Sequence, residues 1–179
     1  GEPTLNPALY DAIVQAKKVG IDTGIATNGL LIDMERAYDI LRHSTFIRFN
    51  LSAAEPESFR KVHQVRAVNF GTLVEKIKTL VKIKKENNYK CTIGIQMVLI
   101  PENFDQVITL AELGAELGVD YLQVKQCSDS EYRELGINHK DYKKVQQDLR
   151  QAETLAHKNY SVKVKWNKIN IFDETDLYK

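Results

Sequence analysis

Phe46-Ile47-Arg48-Phe49-Asn50-Leu51-Ser52 is the stretch whose reading decides the fold. Successive side chains of a strand point to opposite faces, so Ile47, Phe49 and Leu51 share one side while Arg48, Asn50 and Ser52 share the other. The alternation returns in Tyr121–Cys127, where Leu122 and Val124 oppose Gln123 and Lys125. It returns again in Ser161–Asn167, where Val162, Val164 and Trp166 oppose Lys163 and Lys165. Thr92–Leu99 is gentler, with Ile93, Ile95, Met97 and Leu99 set against Thr92, Gly94, Gln96 and Val98. Each strand thus offers one face to a core and keeps the other polar.

Helical patterns separate these strands. They are predicted at about Pro7–Val19, Met34–His43, Asn69–Glu86, Phe104–Leu117 and His139–His157, with a further strand at Asp22–Thr27. The third helix is the clearest: Phe70, Leu73, Val74, Ile77, Leu80 and Val81 recur at helical spacing and leave Lys76, Lys78, Lys82 and Lys85 on the other faces. Gly20 and Gly118 each follow a helix and precede a strand, as left-handed helix stops do. Strict βα alternation implies parallel strands with right-handed crossovers, in an open doubly wound sheet or a barrel. A doubly wound sheet is apolar on both faces, so the polar alternation selects the barrel. The expected fold class is therefore α/β: a partial (β/α) TIM-like barrel over residues 1–166, with an open polar lumen, and a C-terminal tail or linker over 167–179. A filled barrel carries bulky branched residues inside. A lumen of Arg48, Asn50, Gln96, Gln123, Lys125, Lys163 and Lys165 is suited to a polar ligand instead, and its cations suggest an anionic group on the substrate, such as a carboxylate or phosphate. Lys163 and Lys165, on the last strand, read equally as solvent-facing edge residues. Arg48 and Lys125, on internal strands, are expected to be buried and so to need a partner.

Composition sets the outer bounds. The chain has 179 residues, 43% of them hydrophobic, and a net charge of +1, which describes one globular domain with a sizeable core. No apolar run approaches the ~20 residues that cross a bilayer, and Gly1 onward does not read as a charged-then-apolar leader, which a segment before Gly1 is free to carry. Near-neutral charge argues against general nucleic-acid binding. The two cysteines, Cys91 and Cys127, stand far apart and outside any zinc-like spacing, so they read as reduced thiols in a cytoplasmic protein.

The first residues, Gly1-Glu2-Pro3-Thr4-Leu5, read as a loop leading to a helix capped by Asn6 with Pro7 in its first turn. The expectation is that the chain starts inside a fold, as part of a larger protein, with a strand before Gly1. The strand Asp22–Thr27 would then carry an unpaired edge, with self-association as one way to cover it.

Four motifs in order resemble those of radical S-adenosylmethionine (radical SAM) enzymes. Gly1-Glu2-Pro3 is similar to the end of that family's Gly-Gly-Glu-Pro signature, and Thr27-Asn28-Gly29 to its third-strand Thr-Asn-Gly. Arg48-Phe49-Asn50-Leu51-Ser52 stands where many members have a strand ending in Ser-x-Asp. Gln96 to Asn103 resembles the next strand and its loop. The resemblance runs from Gly1 to about Trp166. It implies a partial barrel that holds S-adenosylmethionine against a [4Fe–4S] cluster. The implied reaction is reductive cleavage of the sulfonium to methionine and a 5′-deoxyadenosyl radical, which takes hydrogen from a small-molecule or peptide substrate. By position, Gly1 and Glu2 would meet the methionine amino group, and Asn28, Asn50 and Ser52 its carboxylate or the ribose. Gln96 and Met97 would flank the nucleoside, with Gln123 and Lys125 near ligand or substrate. Amides and hydroxyls suit ribose and carboxylate, and a lysine or arginine supplies a counter-charge.

The chain departs from the family pattern in its cysteines. The cluster needs three closely spaced thiolates, and neither Cys91, a core residue at a strand start, nor Cys127, at a lumen-parity position after a strand, supplies them. The cluster therefore belongs to the parent protein only, the metal ligands of this chain are none, and the chain alone is expected to be inactive. Asn50 and Ser52 also replace the commoner Ser and Asp. Function in such barrels collects on loops after strands. Ala53–Val68 offers a helix start at Glu55-Pro56 together with Arg60, His63 and Arg66; Cys127–Asn138 offers Ser128 to Arg133. His63 and His139 read as surface or capping residues. Two alternatives stay open: an aldolase-like barrel with Lys125 as a Schiff-base lysine, and a non-catalytic S-adenosylmethionine- or nucleotide-binding remnant.

Overall fold

A computed structural model describes residues 1–127 and 139–169. Five parallel strands follow one another in the sheet in chain order: β1 (Gly24–Thr27), β2 (Phe46–Asn50), β3 (Thr92–Leu99), β4 (Tyr121–Gln126) and β5 (Ser161–Val164). Sequential order means that every crossover moves in the same direction. With a common hand, all helices then land on one face and the other face stays open. A doubly wound sheet would reverse direction at a switch point, and this one does not.

The helices are α1 (Leu9–Lys18), α2 (Ala37–His43), α3 (Pro56–His63), α4 (Val68–Glu86), α5 (Val107–Leu117), α6 (Gln146–Thr154) and the short α7 (Trp166–Ile169). Against them pack Ile47, Phe49, Ile93, Ile95, Met97, Leu99, Leu122 and Val124, all fully buried. Leu73, Ile77 and Leu80 of α4 face them. The alternation therefore resolves as expected: the apolar parity makes the core, and Arg48, Asn50, Gln96, Gln123 and Lys125 share the open face.

The helix start read at Glu55-Pro56 is α3, with Pro56 in its first turn and Gln64 in a left-handed conformation ending it. Two features differ from expectation. Lys76 does not point to solvent. Its amine donates to the carbonyls of Leu30 (2.6 Å) and Ile32 (2.9 Å), fastening α4 to the loop after β1, and burial lowers its pKa. Ile169 of α7 is buried against the core, and the residues after it lie outside the described ones.

Among the described residues, no helix is long and apolar enough to cross a membrane. The long loop's Ser128 to Arg133 also falls outside them.

Candidate functional site at the C-terminal ends of the strands

Glu2 organises the upper end of β1. Its carboxylate accepts from the Thr27 hydroxyl (2.5 Å), the Asn28 amide (2.8 Å), and the Thr4 hydroxyl (2.6 Å) and amide (3.1 Å). Burial pushes its pKa up, but the bonds from Asn28, Thr27 and Thr4 outweigh this and hold it below the usual value. Thr27 also accepts from the Gly29 amide, and Asn28 Oδ1 from the Leu30 amide, so the Thr-Asn-Gly turn is closed on itself. Gly29 has φ +76°, and a Cβ there would stand 2.5 Å from Leu73 and 2.7 Å from Phe49. Both the left-handed backbone and the close approach require glycine. Gly1 is exposed beside this knot.

On the open face, register aligns Asn50 with Gln96 and Gln96 with Gln123 in one row across β2, β3 and β4. Gln96 Nε2 donates to Asn50 Oδ1 at 3.4 Å, and Gln96 is only 6% exposed. Above this row opens a cavity of about 430 Å³ bordered by Asn50, Ser52, Gln96 and Lys125, with His63 and Val62 of α3 on its rim. Its size falls within the range of about 300–1,000 Å³ of small-molecule sites.

Ser52 is buried in the wall. Its Oγ accepts from the Val98 amide (3.0 Å), and its own amide donates to His63 Nε2 (3.0 Å). That bond fixes a neutral His63 with its proton on Nδ1, and burial lowers the imidazole pKa. Fully buried Asn103 donates to the carbonyls of Ser52 and Val98 (both 2.9 Å) and accepts from the Ile100 amide. Gln106 accepts from the Ala54 amide at 3.1 Å. These bonds stitch the ends of β2 and β3 together beyond the sheet ladder and set the depth of the cavity.

The sequence-derived residues divide accordingly. Asn50, Ser52, Gln96 and Lys125 converge on the cavity, Gln123 continues their row, and Glu2 and Asn28 form the separate knot above β1. Met97 does not join them. It pairs in register with Val124 and is fully buried on the helix-facing side, because the period of a strand puts it opposite Gln96. Lys125, expected to be buried, is exposed, since no described element covers the open face at that point. The desolvation that activates a Schiff-base lysine is therefore missing. His63, read as a surface residue, instead borders the cavity; its spacing four residues after buried Phe59 was the available signal. His139 has no described side chain.

The chemistry of the donors decides which cofactor they fit. Asn50, Gln96 and Gln123 offer neutral donors and acceptors suited to a ribose and an amino-acid head group. They do not fit an iron–sulfur cluster. Among the described residues, no three His, Cys, Asp or Glu side chains gather into a metal site. Cys91 lies just before β3 and Cys127 just after β4, at opposite ends of the sheet, and burial pushes the Cys91 thiol up to about 12.

Residues 1–114 match the family model of the radical SAM superfamily. The chain belongs to that superfamily. It is 33% identical over 125 residues to the tungsten-containing aldehyde ferredoxin oxidoreductase cofactor-modifying protein of Pyrococcus furiosus, covering 69% of this chain and 35% of that protein. It is 21% identical over 141 residues to the PqqA peptide cyclase of Streptomyces rochei, covering 78% of this chain and 36% of the other. The crystal structure of Streptococcus suis SuiB bound to S-adenosylmethionine superposes with a TM-score of 0.72 at 16% identity, over 92% of this chain and 38% of SuiB. That likeness shows the fold. The chain spans about a third of the length of the curated relatives it matches.

Proposed function

We propose that this chain forms the wall of a radical SAM enzyme that holds S-adenosylmethionine for hydrogen abstraction from a peptide substrate. The observation that carries the reading is the row Asn50–Gln96–Gln123 at the mouth of the open face, beside the knot in which Glu2 closes the Thr-Asn-Gly turn. Neutral amides there bind the polar groups of the cofactor, while Glu2 and Lys76 hold the loop above β1 in place. Cofactor and cluster together supply the radical chemistry; the residues of this chain bind, orient and wall off. The peptide assignment is supported by similarity to a peptide cyclase and to SuiB, whose structure is also seen bound to the precursor peptide SuiA.

Two further parts belong to the same reading. Among the described strands β1 pairs only with β2, and we place a second copy of the chain on its free edge. A cytoplasmic setting accords with two unbridged thiols, Cys91 and Cys127.

The test is equilibrium binding of S-adenosylmethionine to the 179-residue chain. Saturable binding that weakens about tenfold or more in Gln96→Ala is expected. Equal affinity in Gln96→Ala and Asn50→Ala would move the cofactor off this row. Sedimentation over a concentration series tests the edge, and a concentration-independent monomer would remove the second copy.

A further inference from the structure

Below the cofactor row, register sets Ala26, Arg48, Gly94, Tyr121 and Ser161 side by side across all five strands. Two residues along a strand is about 6.6 Å, so this second row lies one side-chain layer deeper in the open face. Gly94 explains how the layer is filled. A Cβ there would stand 2.1 Å from the Tyr121 ring, so the ring lies across β3 toward Arg48. The Lys163 amine, from the position opposite Gln123 in the row above, sits 5.6 Å from the centre of the same ring. Burial raises the Tyr121 phenol pKa, with the Arg48 charge lowering it and the Asp120 carboxylate, itself held by Lys84, raising it.

No Asp or Glu occupies an open-face position on any of the five strands. Among the described residues the Arg48 side chain makes neither an ion pair nor a hydrogen bond, and its Nε is buried without an acceptor. By contrast, Arg36 is held by Asp11 and Asp39, and Lys84 by Asp120. A half-buried guanidinium with no counter-charge is costly, and a guanidinium is the group that matches an oxyanion with paired N–H donors.

We propose that Arg48 seats an oxyanion of the substrate beside the Tyr121 ring in the floor of the open face, one layer beneath the cofactor row in which Lys163 stands opposite Gln123. The proposal rests on the radical SAM reading above and gives its peptide substrate a character: an acidic residue or a phosphorylated one enters first, and the atom that reacts lies above it. Lys125, higher on the face and exposed, is left to the cofactor row.

The experiment follows the Arg48 Nε–Hε resonance of the 15N-labelled chain, assigned by its loss in Arg48→Lys. The carboxylate probe is N-acetylglutamate amide, the phosphate probe inorganic phosphate, and sodium chloride at matched ionic strength is the reference. Saturable shifts with the carboxylate, the phosphate or both are expected, and the stronger of the two identifies the source of the oxyanion. Arg48→Gln, followed through the Tyr121 backbone amide resonance, should weaken that binding about tenfold. Lys85→Gln, on α4 at the far end of the sheet, should leave it unchanged. A shift that chloride reproduces, or equal affinity in Arg48→Gln and the unaltered chain, would overturn the proposal. S-adenosylmethionine binding is measured on the same samples. If the cofactor binds and neither oxyanion does, this inference alone fails; if the cofactor does not bind either, the reading beneath it fails.

Discussion

The Thr27 hydroxyl donates to Glu2 Oε1 at 2.5 Å, joining two segments 25 residues apart. Through this bond the first residues of the chain become part of the end of β1, since Thr27 also accepts from Gly29 and Glu2 also accepts from Asn28. Removing the hydroxyl in Thr27→Val leaves a half-buried carboxylate oxygen and a buried amide with fewer partners. A loss of about 1–3 kcal/mol is expected, read as a lower urea midpoint with an unchanged slope. A midpoint equal to that of the unaltered chain would show that the knot is not coupled to folding.

Glu2 and His63 give opposite titrating groups with the same acid sensitivity. The Glu2 carboxyl lies below its usual 4.5 when folded, so its contribution is present above that value and is lost as pH falls through the depressed one. His63 lies below its usual 6.5 because it is buried neutral. The unfolded chain therefore binds the extra proton first, and stability declines as pH drops below about 6.5 until the folded imidazole also charges. Protonation at Nε2 also ends its acceptance of the Ser52 amide. His63→Gln should flatten the upper part of the stability–pH curve; an unchanged curve would remove His63 from the account.

Met97 and Gln96 are neighbours that should respond in opposite ways. Met97→Ala opens a hole in the core at about 2–5 kcal/mol, while Met97→Leu costs less than about 1.5 kcal/mol. Neither should weaken S-adenosylmethionine binding at temperatures where the variant stays folded, whereas Gln96→Ala should. Loss of affinity in Met97→Leu would mean that this side chain reaches the ligand.

Asn103→Ala strips partners from the Ser52 and Val98 carbonyls and the Ile100 amide together. A destabilisation of about 2–4 kcal/mol is expected from several unsatisfied buried groups. Faster amide exchange confined to the ends of β2 and β3 would be its local signature. Uniform exchange throughout the sheet would contradict a local role.

Anaerobic reconstitution of this chain with iron and sulfide should give no stable cluster absorption, because Cys91 and Cys127 lie at opposite ends of the sheet. A reconstituted cluster with 5′-deoxyadenosine on reduction would show that these thiols are ligands after all.

Much of this was legible because a strand repeats every two residues. The bounds of β3 and β4 and the polar row follow from alternation alone, and the same rule places Met97 in the core even though family resemblance sets it beside the nucleoside. What alternation cannot carry is contact between distant segments. Asn103 and Gln106 look like loop amides, yet their partners Ser52 and Ala54 lie 51 and 52 residues away. Lys76 sits on the outer side of a helical wheel, but its long stem reaches two carbonyls after β1. Lys125 was expected to be buried because its strand is internal; internal in the sheet is not covered on the face.

With every helix on one side of the sheet, odd and even strand positions answer to separate demands. A library that randomises Gln123, Lys125 and Lys163 together changes what the open face recognises without touching Leu122, Val124 or Val162 behind it. New specificities on this scaffold can therefore be selected while the packing that folds it is inherited unchanged.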